Sequence, residues 1–277
     1  MQLILICIDG TWRQHTLPAN QRRNHSETHG HGKRAGNNRE IVAEWLQAKS
    51  QRSYPDNYSR QKSTAPTMPY RAVFFDFGGV FTASPFRAVE RYADDNGIDS
   101  QQLNHTVFGH YHHCDDERHP WHCLERGEIT LEAARQQIMA RGTAQGFDAD
   151  IYTIFATLGA SSVRQRIVDY ALTLRTAGYT VVCITNNVRE FGQGWRQLIP
   201  CDEIFDHIVD SCEEGVRKPD AEIFQRALRR AGIAAEETLF LDDFPANIEA
   251  AAAAGIDGIL VGEDDDKTLR ELSAALK

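Results

Sequence analysis

The chain has 277 residues, of which 42% are hydrophobic and 25% charged, a balance typical of a globular protein with one or two apolar cores. No apolar run approaches the ~20 residues that a membrane-spanning helix needs, so we expect no membrane partner. The formal net charge of −9 argues against general nucleic-acid binding, because the phosphate backbone demands a basic surface.

The charge is unevenly distributed. Residues 1–67 hold ten Lys/Arg and five Asp/Glu, whereas the remaining 210 residues carry a net charge of −14. From Arg13 to about Thr67 the chain is rich in Asn, Gln, Ser, His and Gly, and such a segment cannot bury enough surface to offset chain entropy. We expect residues 1–67 to be a disordered extension, or a mis-assigned start if translation begins at Met68.

Cysteine usage bears on the compartment. The six cysteines form no CxxC pair and no regular framework spacing, and the opening apolar run Leu3–Ile8 lacks the basic leader of a secretion signal. Cys183 lies inside an apolar strand, which predicts a buried thiol. The default expectation is a reducing, cytoplasmic setting.

The first predicted element after the head is a strand beginning at Arg71. It continues as Val73-Phe-Phe-Asp-Phe-Gly-Gly-Val-Phe81, a run of bulky residues that carries Asp76 into a glycine-rich turn. Such a run is typical of a central parallel strand, and open α/β sheets bind ligands at the carboxyl edge of their strands.

The next segment, from Ser84 to about Gly159, is predicted to be helical, with Thr130 as the N-cap of one helix. Strands and helices then alternate: helix 162–177, strand 180–185, strand 204–209, loop 211–218, helix 219–231, strand 238–241, helix 246–254 and strand 258–261. This order predicts an α/β fold, a Rossmann-like parallel sheet with helices on both faces. We interpret residues 84–159 as an inserted helical cap on a core of residues 68–83 and 160–277.

Four motifs lie at predicted strand ends or in loops of this sheet. Asp76 ends the first strand, and Thr185-Asn186 ends the second. Lys218 follows a loop, and Asp242-Asp243, with Asn247 beyond them, end a third strand. One carboxylate nucleophile, hydroxyl and amide donors, a lysine and an acidic pair at one edge are the parts needed to transfer a phosphoryl group. Separately, the acidic pair could merely cap the following helix and Lys218 could be a surface lysine.

The order of these motifs resembles the haloacid dehalogenase-like (HAD) hydrolase superfamily over about residues 70–262. Asp76-Phe-Gly-Gly-Val, Gly215-Val-Arg-Lys-Pro-Asp and Leu241-Asp-Asp-Phe-Pro-Ala-Asn look most like the branch that contains the N-terminal phosphatase domain of soluble epoxide hydrolase. Similar domains are fused to acyl-CoA dehydrogenases, and certain sugar-phosphate phosphatases share the pattern.

The resemblance implies a role for each matching residue. Asp76 would be the nucleophile and a Mg²⁺ ligand, with the Gly78 carbonyl and Asp243 as further ligands and Asp242 in support. The remaining residues would act on the phosphate and the acidic loop: Thr185, Asn186 and Gly79 hold phosphate oxygens, Lys218 offsets negative charge, and Asn247 orients the acidic loop.

One position departs from the superfamily pattern. Gly78 stands where most phosphatases of the superfamily have a second Asp, the general acid and base, whose help is typically worth ~10²–10⁴ in rate. Three interpretations stay open. The substrate has a good leaving group, such as an anomeric or acyl phosphate; or a cap residue supplies the proton; or the chain is a slow or inactive relative that binds phosphorylated ligands.

The cap offers candidates for a substitute in a stretch rich in histidine, from His110 to Cys123. One histidine here could act as acid or base. The stretch also holds zinc-compatible ligands, although their spacing matches no standard zinc pattern: His113, Cys114, His119 and Cys123. We favour a polar, substrate- or solvent-facing loop, with Trp121 and Tyr111 as packing residues.

The sequence therefore predicts a Mg²⁺-dependent HAD-like hydrolase that cleaves a small phosphate monoester through an aspartyl-phosphate on Asp76. A 2-haloacid dehalogenase, which needs no metal, is the alternative enzyme, and the Asp242-Asp243 pair counts against it because two acids would repel a carboxylate substrate. A non-catalytic domain that binds phosphorylated ligands is the third hypothesis, motivated by Gly78. Substrate identity and oligomeric state stay open.

Overall fold

The computed structural model describes residues 3–8, 11–16, 70–110, 118–156, 163–192 and 194–277. Strands β1 (Leu3–Ile8) and β2 (Thr11–Thr16) pair as an antiparallel hairpin. Most of the predicted extension 1–67, and Tyr111, His113 and Cys114 of the cap, lie outside these ranges. Those expectations stay predictions.

A five-stranded parallel sheet forms the centre of the fold. Its strands are β3 (Ala72–Phe75), β4 (Thr180–Thr185), β5 (His207–Asp210), β6 (Thr238–Asp242) and β7 (Asp257–Leu260), in the order β5-β4-β3-β6-β7. In register, Phe75 lies beside Cys183 of β4 and Leu241 of β6. The α/β fold and the parallel sheet are confirmed, and β3 is central, as its uninterrupted apolar run indicates.

Helices cover both faces of the sheet because successive side chains of each strand point to opposite sides. Val73 and Phe75 pack in a core with the helices Gln165–Thr176 and Asp265–Ala275. Phe74 packs in the other core with the helices Ala221–Ala231 and Pro245–Ala253. Full burial of one such aromatic side chain is worth about 1.5–3 kcal/mol.

The segment between β3 and the helix Gln165–Thr176 has a core of its own. It contains the helices Pro85–Asn96, Ser100–Phe108, Pro120–Glu125, Leu131–Gln145 and Ile151–Ala156. Val89, Leu103, Phe108 and Ile138 are fully or almost fully buried among them. Thr130 caps one helix by accepting a hydrogen bond from Ala133 N–H, as predicted. The proposed cap limits, 84–159, stay a prediction because residues 157–162 lie outside the described ranges.

Several predicted boundaries were wrong. The strand expected at 204–209 is β5, because Cys201–Ile204 forms a helical turn first. Loop 211–218 begins with the helical turn Ser211–Glu214. The helix expected from Pro219 begins at Ala221, because Asp220 takes the N-cap position and accepts from Glu222 N–H. The final helix, Asp265–Ala275, was not anticipated.

Within the described ranges, none of the helices combines the length and the hydropathy that a bilayer-spanning segment needs.

Candidate active site

Asp76 lies at the carboxyl end of the central strand. Its backbone N–H donates to the Leu241 carbonyl (2.8 Å), so the sheet pairing continues one residue past β3. This hydrogen bond fixes the backbone position of Asp76. The turn that follows leaves no room for a side chain at Gly79, whose φ is +76°. A Cβ there would lie 2.0 Å from Oδ2 of Asp243. Glycine therefore allows the turn to pack directly against the acidic pair.

Lys218 is the cation of the site. Its Nζ lies 2.6 Å from Oδ1 of Asp76 and 2.7 Å from Oδ2 of Asp242, and its side chain is only 1% exposed. The suggestion that Lys218 is a surface lysine is thereby excluded. A buried ammonium held between two carboxylates is charged, and it links the tips of β3 and β6.

The loop that carries Lys218 is fixed by Asn186. The side-chain amide of Asn186 donates to the Lys218 carbonyl (3.0 Å), and its Oδ1 accepts from the Lys218 N–H (2.8 Å). The sequence predicted that Asn186 holds phosphate oxygens, but these two bonds direct its side chain to the Lys218 backbone. Thr185, the last residue of β4, is buried at the same edge.

The two adjacent aspartates differ in their surroundings. Asp242 is fully buried and accepts hydrogen bonds at both oxygens from Asn247 Nδ2 (3.0 Å each), as well as from Phe244 N–H (2.8 Å) and Lys218. Phe244, rather than either aspartate, is the N-cap of the following helix, which argues against a purely helix-capping role for the pair. Asp243 faces the Gly79 turn and is more exposed.

Three carboxylates of this site could share one metal ion. Asp76, Asp242 and Asp243 each offer an oxygen, and these atoms lie within 4.8 Å of one another. Carboxylate oxygens suit a hard cation such as Mg²⁺, so the donor set fits the predicted metal. Because the oxygens of Asp242 already accept four hydrogen bonds, Asp76 and Asp243 are the better direct ligands. The contribution of the Gly78 carbonyl stays a prediction.

The pKa values of the charged groups in this site are shifted by burial and by the excess of negative charge. Burial raises the pKa of Asp76 well above its ordinary value; Lys218 opposes this shift, and the charges of Asp242 and Asp243 add to it. Burial, followed by the charge of Asp242, raises the pKa of Asp243 to about 6. Burial disfavours the Lys218 ammonium, but Asp242 and Asp76 outweigh this effect and its pKa is raised. A further cation would relieve the remaining repulsion.

A cavity of about 790 Å³ opens beside the acidic pair, with Gly79 and Asp243 in its wall. Aromatic rings of the cap and the core line it: Phe86 stacks on Phe244 with 5.0 Å between ring centroids. His105 of the cap also lines the cavity. Position 78 has room as well, since a Cβ there would meet only Pro85 Cδ, at 3.7 Å.

Two histidines at the end of the predicted polar loop can be placed, whereas residues 111–117 of that loop lie outside the described ranges. His119 and His122 are buried, and Nδ1 of His119 accepts from Trp121 N–H at the start of the helix Pro120–Glu125. Trp121 packs edge-on against Phe108, so its predicted packing role is confirmed. The fully buried Cys183 thiol is confirmed too.

Sequence reasoning missed one buried ion pair. Arg217 Nε lies 2.6 Å from Glu125 Oε2, so the residue before Lys218 reaches into the cap. Its position inside the Gly215–Asp220 motif was the available signal, but nothing in the sequence indicates its partner.

Comparison with known proteins identifies the family. The family model for haloacid dehalogenase-like hydrolases matches residues 70–255. The chain belongs to this family. The predicted superfamily is thereby confirmed.

The chain is also similar to parts of longer proteins. It is 31% identical to acyl-CoA dehydrogenase family member 10 of Mus musculus over 75% of its length, and 28% identical to bifunctional epoxide hydrolase 2 of Rattus norvegicus over 55%. It spans only 19% and 30% of those two proteins. The predicted resemblance to this branch is confirmed.

Two further similarities cover most of the other protein. Sesquiterpene phosphatase astK of Aspergillus oryzae is 28% identical over 69% of this chain and 89% of that one. A HAD family enzyme of Bacteroides thetaiotaomicron, solved as a magnesium complex, is 21% identical with a TM-score of 0.51, over 73% of this chain and 99% of that one. The second likeness supports the fold.

Proposed function

We propose that this hydrolase is a Mg²⁺-dependent phosphatase that cleaves a small phosphate monoester through an aspartyl-phosphate on Asp76. One observation carries the proposal: three carboxylates and one ammonium converge in a buried cluster beside a cavity. We call Asp76, Lys218, Asp242 and Asp243 the Lys218 cluster. The acidic pair counts against a metal-free haloacid dehalogenase, because two carboxylates would repel a carboxylate substrate.

Asp76 is the nucleophile in this proposal. Its carboxylate oxygen attacks phosphorus, an oxygen–phosphorus bond forms, and the bond to the alcohol oxygen breaks. Water then attacks the aspartyl-phosphate, which releases inorganic phosphate and restores the carboxylate. Lys218, 2.6 Å from Asp76, favours the ionised carboxylate against the effect of burial and offsets charge on the phosphate.

Mg²⁺ would be held by Asp76 and Asp243, with Asp242 in support, and would supply positive charge at the phosphate oxygens. Asn247 and Phe244 N–H hold Asp242, and Asp242 in turn holds Lys218. The Asn186 side chain would hold the backbone of Lys218 in place. Thr185 and the Gly79 backbone would bind phosphate oxygens.

The leaving group needs a proton that position 78 cannot supply. We infer that the substrate has a good leaving group, or that a cap residue such as His105 in the cavity wall protonates it. The names of two relatives, sesquiterpene phosphatase and glyceraldehyde 3-phosphate phosphatase of Methanothermobacter thermautotrophicus, favour a small phosphorylated substrate.

The test is release of inorganic phosphate from acyl phosphates, sugar phosphates, an isoprenyl phosphate and p-nitrophenyl phosphate, with Mg²⁺ or excess chelator. Wild type should turn over at least one ester only with Mg²⁺, and Asp76→Asn should be silent. Asp257→Asn is the matched control, because Asp257 is exposed, accepts a hydrogen bond from Tyr70 and lies at the amino end of β7, whereas the site lies at the carboxyl ends of the strands.

Two outcomes would overturn the proposal. Turnover that persists in chelator would exclude Mg²⁺ dependence and direct attention to haloacid substrates. Silence across the panel, with Mg²⁺ and phosphate still binding, would instead favour a non-catalytic phosphate-binding domain.

A further inference from the structure

Arg217 is a buried cation that the proposed reaction does not use. It precedes Lys218, but its side chain leaves the Lys218 cluster and meets Glu125 of the cap at 2.6 Å. The two side chains are 8% and 5% exposed. A charge at this depth needs an opposite charge beside it, so neither partner can be lost without leaving the other uncompensated.

Glu125 makes three contacts at once. Its Oε2 receives Arg217, its Oε1 accepts from Trp121 Nε1 (2.8 Å), and its backbone carbonyl accepts from Ser211 Oγ (2.6 Å). Both side-chain oxygens and the carbonyl are thus occupied at the end of the helix Pro120–Glu125. We call Trp121, Glu125, Ser211 and Arg217 the junction cluster.

The junction cluster reaches Lys218 by two routes. The first is the peptide bond between Arg217 and Lys218. The second runs through Ser211, whose Oγ accepts from Asn187 N–H (3.0 Å), to the neighbouring Asn186 and its two bonds to the Lys218 backbone. The cap residue Glu125 is therefore connected to both loops that carry the proposed phosphate-binding residues, Thr185 and Lys218.

We propose that Arg217 and Glu125 are positioning residues that align Lys218 and the Thr185–Asn187 loop with Asp76, so that cap placement and lysine alignment are one event. The proposal rests on the proposed phosphatase function. None of the bonds described for these two side chains is to Asp76. They act because Lys218 must lie within hydrogen-bond distance of two carboxylates at once, and a misplacement of ~1 Å can cost ~10²-fold in rate.

The test compares Arg217→Met, Arg217→Lys and Glu125→Gln with the double variant Glu125→Gln/Arg217→Met in the full chain. With p-nitrophenyl phosphate, Arg217→Met should lower kcat by about 10²-fold with little change in KM. Arg217→Lys keeps the charge and should recover part of the loss. The double variant removes both charges, so its loss should be smaller than the product of the two single losses.

Arg126→Gln is the matched control, because Arg126 pairs with Glu128 within the cap (2.6 Å). It should leave kcat near the wild-type value. If Arg217→Met lowers the melting temperature but leaves kcat unchanged well below it, the pair only holds the fold and the proposal is wrong.

Hydrogen exchange gives a readout that needs no turnover. The Lys218 and Asn187 amides, which donate to Asn186 Oδ1 and Ser211 Oγ, should exchange faster in Arg217→Met than in wild type or Arg126→Gln. If wild type lacks phosphatase activity yet this pattern holds, the proposed function fails while the alignment survives. Unchanged exchange at both amides would contradict the alignment itself.

Discussion

Two neighbouring residues, Arg217 and Lys218, belong to two differently balanced charge clusters. In the Lys218 cluster one ammonium faces three carboxylates, with Asp76 and Asp242 within 2.7 Å of Nζ. In the junction cluster, within the part of the chain that the structure describes, one guanidinium pairs with one carboxylate. The paired side chains of both clusters are buried, so the degree of burial does not distinguish the two clusters.

The difference in charge balance separates chemistry from architecture. Uncompensated negative charge and burial raise the pKa of Asp76 and Asp243, which makes the Lys218 cluster receptive to a further cation. Among the described residues the junction cluster pairs one positive with one negative charge, and the oxygens of Glu125 accept from Arg217, Trp121 and Ser211. The Lys218 cluster is therefore suited to bind a cation and to react, whereas the junction cluster is suited to a structural role.

Lys218→Gln should have the largest effect, because it removes the positive charge that lies within 2.7 Å of both Asp76 and Asp242. We expect turnover to become undetectable and the protein to lose about 3–5 kcal/mol of stability at neutral pH. Phosphate release and urea unfolding measure the two losses.

The pH dependence of this variant sharpens the comparison. Without Lys218, the carboxylates bind protons more tightly in the folded than in the unfolded protein, so the stability deficit should shrink as pH falls towards 5. Added Mg²⁺ should also restore part of the stability. A deficit that is independent of pH and Mg²⁺ would mean that charge imbalance is not its cause.

Gly79→Ala should have the next largest effect. The new Cβ would lie 2.0 Å from Asp243 Oδ2, and the positive φ adds ~1–2 kcal/mol of strain. We expect at least tenfold weaker Mg²⁺ binding by calorimetry, consistent with a displaced ligand. Gly78→Ala is the control, since its Cβ only meets Pro85 Cδ at 3.7 Å, and it should bind Mg²⁺ like wild type.

Gly78→Asp tests the missing proton donor. Because position 78 has room, the added carboxyl should raise turnover of an alkyl phosphate roughly tenfold relative to p-nitrophenyl phosphate, which needs no acid. The ratio of the two rates is the measurement. An unchanged ratio would show that another group already protonates the leaving group.

Arg71→Gln should have the smallest effect. Arg71 pairs with Glu237 at 3.3 Å before the amino end of β3, and its side chain is 62% exposed. Removal of such a pair should cost no more than about 1 kcal/mol in urea unfolding and leave turnover intact. A larger loss of stability would mean that an exposed ion pair stabilises this protein as much as a buried one.

The sheet and the convergence of the site could be predicted because both depend on local signals. Strands buried on both faces are continuous apolar runs, and the polar residues that follow them meet at one edge of the sheet. The sequence therefore predicts that Asp76, Asp242 and Asp243 lie together, as they do.

The remaining features depend on distant partners. Asn186 could equally face phosphate or backbone, and only the fold of loop 211–218 selects the Lys218 peptide. Glu125 and Arg217 are far apart in the chain, so their pairing cannot be read from spacing. His119 and His122 look polar in sequence, yet helix packing buries them.

The sheet order has a consequence for how this protein folds. β3 emerges first among the five parallel strands, yet it becomes the middle one, with β4 and β6 as neighbours. The whole cap is synthesised before β4, and β6 follows later still. Until β4 is made, neither neighbour of the run Ala72–Phe75 in this sheet exists, and such an apolar strand is prone to aggregate. The nascent chain should therefore depend on chaperones most while the segment between β3 and β4 is being made.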